Sequence, residues 1–407
     1  MNPVCVIQLD NWHGRPQAEL VLNALSAGGH KSMFVGGCVR DALLERPVNE
    51  LDIATPETPE RIVTLLEAAG LKAIKTGIEH GTVTAICDGI SFEITTLRQD
   101  IETFGRYARV KYTQNWAKDA ARRDLTLNAL YCDIKGNVFD PLGGLSDLKA
   151  GRIRFVGNAN VRIEEDLLRL LRYFRFYAYY GRSPADEKAL TACSQMASQI
   201  ERLSVERVWN ELSRLLLAPN PASAVMLMQK HAILPYLLPE AIHSDLLDRL
   251  VKLEKQTKTA PNYLRRIAVM VSLGREEACL LTKRFKFSKL DRKRFCILCD
   301  PPEWPDPSAN LRQSRASFYR LGKELFTELV LIGTTKFPNE DWLALLALSK
   351  KLSIPAFTVD GSDVVSMGIP VGPQVGKILQ DVENWWINGD FKADRDDCLN
   401  YLKSVIT

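Results

Sequence analysis

At 407 residues the chain is too long for one ordinary core, so two or more domains are expected, and 46% hydrophobic with 25% charged residues is the composition of an ordinary soluble globular protein. The net charge of +4 permits a nucleic-acid partner without demonstrating one. Met1 to Cys5 has no basic flank ahead of an apolar stretch, and no apolar run reaches membrane length, so a cytoplasmic protein without a membrane partner is expected.

In chain order, a short apolar strand at Met33–Val35 runs into Gly36-Gly37-Cys38-Val39-Arg40-Asp41, with a helix expected over 39–45. The glycine pair lets backbone N–H groups approach a triphosphate, and the helix aims its positive end at the same place. A strand follows at 51–54. Because strand side chains alternate, Leu51 and Ile53 should point into a core while Glu50 and Asp52 point out together. Two like charges held side by side repel unless a cation sits between them. Mg²⁺ suits that geometry, since it takes a few carboxylate oxygens and fills its other positions with water or phosphate. On these residues alone, an acidic pair at a strand edge reads equally well.

Strands are expected next over Thr82–Cys87 and 90–97, joined by an Asp88-Gly89 hairpin turn. Ile90, Phe92 and Ile94 share one face of the second, so Glu93 faces away from the core. Three carboxylates from two strands beside a phosphate-binding turn is the layout of two-metal nucleotidyl transfer. A strand at 130–134 and the turn signal Lys135-Gly136-Asn137 complete an α+β region. After Asp140-Pro141-Leu142-Gly143-Gly144 the periodicity becomes helical, with helices expected over 159–180, 185–200, 205–217 and 222–231 and Ser204 as the N-cap of the third. On a helical wheel of 165–178, Glu165, Asp166, Arg169, Arg172 and Arg175 lie opposite the apolar face, with Leu168, Tyr173 and Phe176 intruding among them.

The ordered motifs from about residue 30 to 240 resemble those of the DNA polymerase β-like nucleotidyltransferases, and within them the class II CCA-adding enzymes and the related bacterial poly(A) polymerases. They are Gly36-Gly37-Cys38-Val39-Arg40-Asp41, Glu50/Asp52, His80-Gly81-Thr82-Val83, Glu93-Ile94-Thr95-Thr96-Leu97-Arg98, Arg122-Arg123-Asp124 through Ala129, Glu165-Asp166 with Arg169 and Arg172, and Glu206-Arg207 with Glu211-Leu212. The resemblance implies a mixed-sheet nucleotidyltransferase head over 1–150, an all-α neck with a base-reading helix over 151–230, and a helical body and tail over 231–407 that binds tRNA. It implies Mg²⁺-dependent, template-independent addition of CCA to tRNA from CTP and ATP, with Asp52, Glu50 and Glu93 as catalytic metal ligands. Gly36 and Gly37 would face the triphosphate, Arg40 a phosphate or ribose, Arg123 the triphosphate and Asp124 the ribose 2′-OH. Asp166 and Arg169 would read the amine and ring nitrogen shared by C and A, with Arg172 and Arg175 helping to hold the nucleotide.

Two departures from the family pattern stand out: Glu50 replaces the usual first Asp, and Phe104 replaces a common Asp in the polar segment 98–118, which in the family reshapes the pocket for ATP. The rival readings are a poly(A) polymerase, a CC- or A-adding specialist, and a catalytically inactive RNA-binding relative. Farther along, nine cysteines without regular spacing point to reduced thiols, and the only CxxC is Cys296-Ile297-Leu298-Cys299. Lys283-Arg284-Phe285-Lys286-Phe287 and Arg292-Lys293-Arg294 read either as solvated faces or as tRNA backbone contacts.

Overall fold

The computed structural model describes every residue except Asn11, Gly105, Arg106, Ile242 and Thr407, and for His80, 100–104, 107–109 and Glu340 it describes the backbone alone. It divides into two compact units, Met1–Ala241 and Ile242–Thr407.

The first unit carries an eight-stranded mixed sheet. Its strands are β1 (Cys5–Val6), β2 (Met33–Val35), β3 (Asp52–Thr55), β4 (Lys72–Gly77), β5 (Thr82–Cys87), β6 (Ile90–Thr96), β9 (Tyr131–Cys132) and β10 (Asn137–Phe139), while β7 (Arg98–Phe104) and β8 (Tyr107–Tyr112) form a separate antiparallel hairpin. The order in the large sheet is β1-β10-β9-β2-β3-β6-β5-β4, and only β3 and β6 run parallel. Alternation accounts for β6, where Phe92 and Ile94 are fully buried while Glu93 is exposed. Asp88 (φ 50°) and Gly89 (φ 79°) make the tight turn between β5 and β6. Among the strands not expected from the sequence, β4 is an edge strand with mostly exposed side chains, and the β7–β8 hairpin lies in a mostly polar stretch in which only the short run 108–112 alternates.

The helix expected over 159–180 is two helices, Ala159–Glu165 and Leu168–Tyr180. Asp166 between them is extended (φ −150°, ψ 105°), and its carboxylate accepts from the Leu168 N–H at 3.2 Å. A short acidic side chain favours such a break because it can accept from a nearby N–H group that has no carbonyl partner within the new helix. Periodicity runs through the break because the helices on both sides bury apolar residues. Ser204 takes the N-cap position of Val205–Leu217, but its hydroxyl accepts no capping hydrogen bond.

The second unit is helical. Glu254, on the helix Ser244–Thr257, accepts from Arg265 at 2.6 Å and Arg266 at 2.7 Å, and Arg265 also faces Glu328 at 3.6 Å. Glu328 in turn pairs with Arg294 at 2.6 Å, so one residue of the basic run 292–294 is absorbed by an internal cluster while Arg292 and Lys293 stay exposed. Farther along, Trp386, Phe391, Val382 and Leu402 centre a separate apolar cluster. Among the described residues, no helix is long and apolar enough to cross a membrane.

Behind the sheet of the first unit, the short helix Trp116–Ala121, capped by Asn115, buries Asp119 completely. Its carboxylate accepts from Arg122 Nε at 2.9 Å, Arg123 Nη2 at 2.9 Å and the Tyr131 hydroxyl at 2.8 Å. Tyr131 belongs to a core cluster with Val35, Ala54 and Leu97, and Trp116 packs edge-on against it with ring centroids 5.0 Å apart. Burial alone would raise the Asp119 carboxyl, but Arg123, Arg122 and Tyr131 more than offset it and hold it at about 2. A carboxyl depressed on folding contributes stability that is present above its unfolded pKa and lost as pH falls through the folded one. The stability difference between the native chain and Asp119→Asn, measured by urea melts, should therefore shrink by on the order of 2 kcal/mol between about pH 5 and pH 2. A difference constant across that window would place the anchoring charge elsewhere.

Candidate active site

At Gly36 the backbone takes φ 73° and ψ −115°, a conformation that costs a residue with a side chain. The helix that follows is Gly37–Leu43, starting two residues earlier than expected, so the glycine turn and the helix start are one feature. Cys38 is buried there with its thiol on the Val35 carbonyl, as its size suggests. A Cβ on Gly36 would lie 3.8 Å from Arg123 Nη1, which puts that guanidinium beside the turn.

Asp52 opens β3, and Glu50 lies two residues ahead of the strand rather than within it. The alternation still holds, since Leu51 and Ile53 are buried and Glu50 and Asp52 are exposed. In the parallel register Asp52 is directly opposite Glu93. Burial by the surrounding protein first, then the charges of Glu93 and Glu50, push the Asp52 carboxyl up to about 6, with Arg123 pulling the other way. Among the described residues, no three His, Cys, Asp or Glu side chains are close enough to enclose a metal ion. The donors that are present fit Mg²⁺ nonetheless: hard carboxylate oxygens, excess negative charge, and room for water and phosphate in the remaining positions.

Three of the expected nucleotide-binding residues, Arg40, Asp124 and Arg172, are tied into a ring that begins and ends on the helix Leu168–Tyr180. The Tyr180 hydroxyl donates to Asp41 at 2.8 Å; Arg40 donates to Asp41 at 2.8 and 3.1 Å and to Asn128 at 2.6 Å. Asn128 then donates to Asp124 at 3.0 Å, and Arg172 closes the ring on Asp124 at 2.7 Å. Burial raises the Asp124 carboxyl, but Arg172, Asn128 and the Leu125 N–H hold it well below the usual carboxylate range. Phe176 lies inside this ring, with the guanidiniums of Arg40, Arg172 and Arg175 at 5.2, 5.4 and 4.4 Å from its centroid. Its intrusion on the charged face is thereby explained: it is the ring on which three arginines pack. Arg40 is engaged by its sequence neighbour Asp41.

The residues expected to read the base do not share one helix. Asp166 sits in the break and accepts from Arg207 at 3.0 Å, whereas Arg169, the second residue of the second helix, pairs with Glu165 and donates to the carbonyls of Arg162 (3.1 Å) and Arg122 (3.3 Å). Arg175 pairs with Glu211 at 2.6 Å, and burial pulls its guanidinium below the usual arginine range. Sequence reasoning gave no individual role to Asp119, Asn128, Tyr180, Arg207 or Glu211. Only the spacing of Asn128 from Asp124, four residues, hints at a partner; the same spacing of Arg207 and Glu211 misleads, because they pair with Asp166 and Arg175 instead. The side chain of Phe104, with Gly105 and Arg106, lies outside the described residues.

Residues 32–154 match the family model described as the poly A polymerase head domain, and residues 185–244 match one described as the probable RNA and SrmB-binding site of polymerase A. The chain is 32% identical over 386 residues to human mitochondrial CCA tRNA nucleotidyltransferase 1, covering 92% of this chain and 87% of that protein. It is also 32% identical over 389 residues to the CCA-adding enzyme of Streptococcus pyogenes serotype M3, covering 92% and 93%. Among solved structures, the CCA-adding enzyme of Bacillus stearothermophilus in complex with CTP superposes with a TM-score of 0.70 at 26% identity over 96% of this chain and 97% of that one. With the acidic strand pair, the glycine turn and the Arg-Arg-Asp segment in one sheet-centred site, and with relatives matched over nine-tenths of its length, the chain belongs to the CCA-adding enzymes, the tRNA nucleotidyltransferases that carry a poly A polymerase head domain.

Proposed function

We propose that this chain completes tRNA 3′ ends with C, C and A, the tRNA 3′-hydroxyl attacking the α-phosphate of bound CTP and then ATP, and that Asp52, Glu93 and Glu50 hold Mg²⁺. When bound, the ion lowers the pKa of the attacking hydroxyl and neutralises charge on the departing pyrophosphate. The observation that carries this reading is the direct opposition of Asp52 and Glu93 on parallel strands, beside the Gly36 turn and Arg123. The B. stearothermophilus relative crystallised with CTP and the family match support the substrates.

In this reading Gly36 and Gly37 present backbone N–H groups to the triphosphate, and Arg123, braced by Asp119, adds positive charge. Asp124 accepts from the ribose 2′-OH, with Arg172, Arg175 and Arg40 lining the nucleotide's surroundings. Asp166 and Arg169 read the base, exchanging Arg207 and Glu165 for the amine and ring nitrogen of C or A. The division into head (1–150), neck (151–230) and tRNA-binding body and tail (231–407), and a cytoplasmic location, belong to the same proposal.

Labelled CTP and ATP incorporation into a transcript ending at the discriminator base tests it. Asp52→Ala should abolish both additions while tRNA binding, read by gel shift, is retained; undiminished turnover in that variant would refute the metal assignment. Glu50→Asp should keep activity, because the shorter acid is the commoner family residue.

The base assignment is checked by misincorporation. Losing one hydrogen bond to the base is worth roughly 1–3 kcal/mol, so Asp166→Ala and Arg169→Ala should each raise UTP and GTP use by about one to two decades relative to CTP. Unchanged selectivity in both would leave those two residues a purely structural role.

The β7–β8 hairpin offers a test of the C-to-A switch. Replacing 103–108 by Asn-Gly would close the strands directly after the Glu102–Arg109 pair and keep the hairpin. CTP addition should survive and the terminal A should be lost, as read by product sizing on sequencing gels. Equal loss of both would mean that the segment supports the head itself.

A further inference from the structure

In the second unit, the helices Arg275–Arg284 and Lys289–Cys299 form a hairpin that brings Cys279 and Cys296 together, with their sulfurs 3.0 Å apart. The turn between the helices is well determined by its own bonds. Lys286 takes φ 52°, the Phe287 N–H donates to the Thr282 carbonyl at 3.0 Å, and the Ser288 hydroxyl caps the second helix through the Asp291 N–H at 3.1 Å. Phe287 packs edge-on against Phe295 at 5.7 Å, and Phe285 lies 6.5 Å from Phe287, so the hairpin is wedged together from inside. A disulfide has sulfurs about 2.05 Å apart, so closing this pair needs a movement of about 1 Å.

We propose that Cys279 and Cys296 are a redox modification site, forming a reversible internal disulfide on reaction with a low-molecular-weight disulfide. Cys279 is half-buried and within reach of a small reagent, whereas Cys296 is 6% exposed. The Cys279 thiolate attacks one sulfur of the reagent, giving a mixed disulfide and one released thiol. Cys296 then gives up its proton and attacks the Cys279 sulfur, displacing the second reagent thiol. The balance is two protein thiols and one external disulfide going to one protein disulfide and two external thiols, with the reagent as the species reduced. Burial, and after it the Cys279 contact, push the Cys296 thiol up to about 11. Cys296 is therefore suited to the second, intramolecular step, where proximity offsets the small thiolate fraction.

The geometry also selects the partner. The CxxC spacing would suggest Cys296 with Cys299, but those two lie along one helix while Cys279 faces Cys296 from the next. Among the described residues, no third ligand completes a metal cluster around the pair. The site is not part of the proposed chemistry in the first unit. It staples a hairpin that exposes Lys283, Arg284, Lys286, Lys289, Arg292 and Lys293.

The test uses the full-length chain, reduced and then incubated without oxygen in oxidised glutathione at several thiol-to-disulfide ratios, quenched by alkylation, digested and mapped by mass spectrometry. The expected result is a peptide joining Cys279 to Cys296 that dithiothreitol releases, with glutathione accumulating on Cys279 at least tenfold more in Cys296→Ser than in the native chain. The proposal is overturned if the native chain carries glutathione on Cys279 as heavily as Cys296→Ser without a linked peptide, if the link joins Cys296 to Cys299, or if neither Cys279 nor Cys296 reacts. The native-chain arm decides these outcomes even where a variant fails to fold.

Discussion

One parallel pairing, β3 with β6, in an otherwise antiparallel sheet sets the position of everything chemical in the first unit. Antiparallel neighbours can be joined by a tight turn, but a parallel pair requires a crossover, and here the crossover contains the helix Pro59–Ala68 and the strands β4 and β5. Its consequence is register: Asp52 and Glu93 come from strands entering the sheet in the same direction, so both carboxylates emerge side by side at one level. The glycine turn after β2, the strand next to β3, then presents backbone N–H groups near the same place. Repulsion between the acids is what the fold enforces, and Arg123 offsets only part of it.

The neighbouring charges are organised differently, because each finds a partner within the chain. Tyr180, Asp41, Arg40, Asn128, Asp124 and Arg172 form a closed circuit whose two ends lie on one helix, which fastens that helix to the helix Gly37–Leu43 and to the segment 124–128. Phe176 fills the circuit, so the arginines pack against a ring while their polar edges are satisfied. Taking any one carboxylate away would leave a guanidinium facing apolar surroundings, which is costlier than the pair itself is stabilising.

The alternating strands β5 and β6, the glycine turn and the outward acids were legible in the sequence, because burial on one face forces a period of two and nothing in the context opposed it. The break at Asp166 was not, since an apolar period of 3.6 continues through it and only the capping hydrogen bond to Leu168 reveals the interruption. β4 carries no signal for the opposite reason: an edge strand with little to bury has no periodic pattern. The partners of Arg175 and Asp166, Glu211 and Arg207, lie about forty residues away or nearly so, and such pairings come from helix packing that spacing does not encode.

The internal pairing of Asp166 and Arg169 carries a kinetic implication. On the proposed base assignment, a nucleotide that engages both exchanges Arg207 and Glu165 for new partners, one set of charge-assisted bonds for another. Once the nucleotide has been joined to the primer, the displaced partners are still adjacent and compete to return. On that assignment the internal partners favour departure of the finished base over its retention. An enzyme that must vacate one site three times in succession on a single primer depends on that competition more than on tight grip.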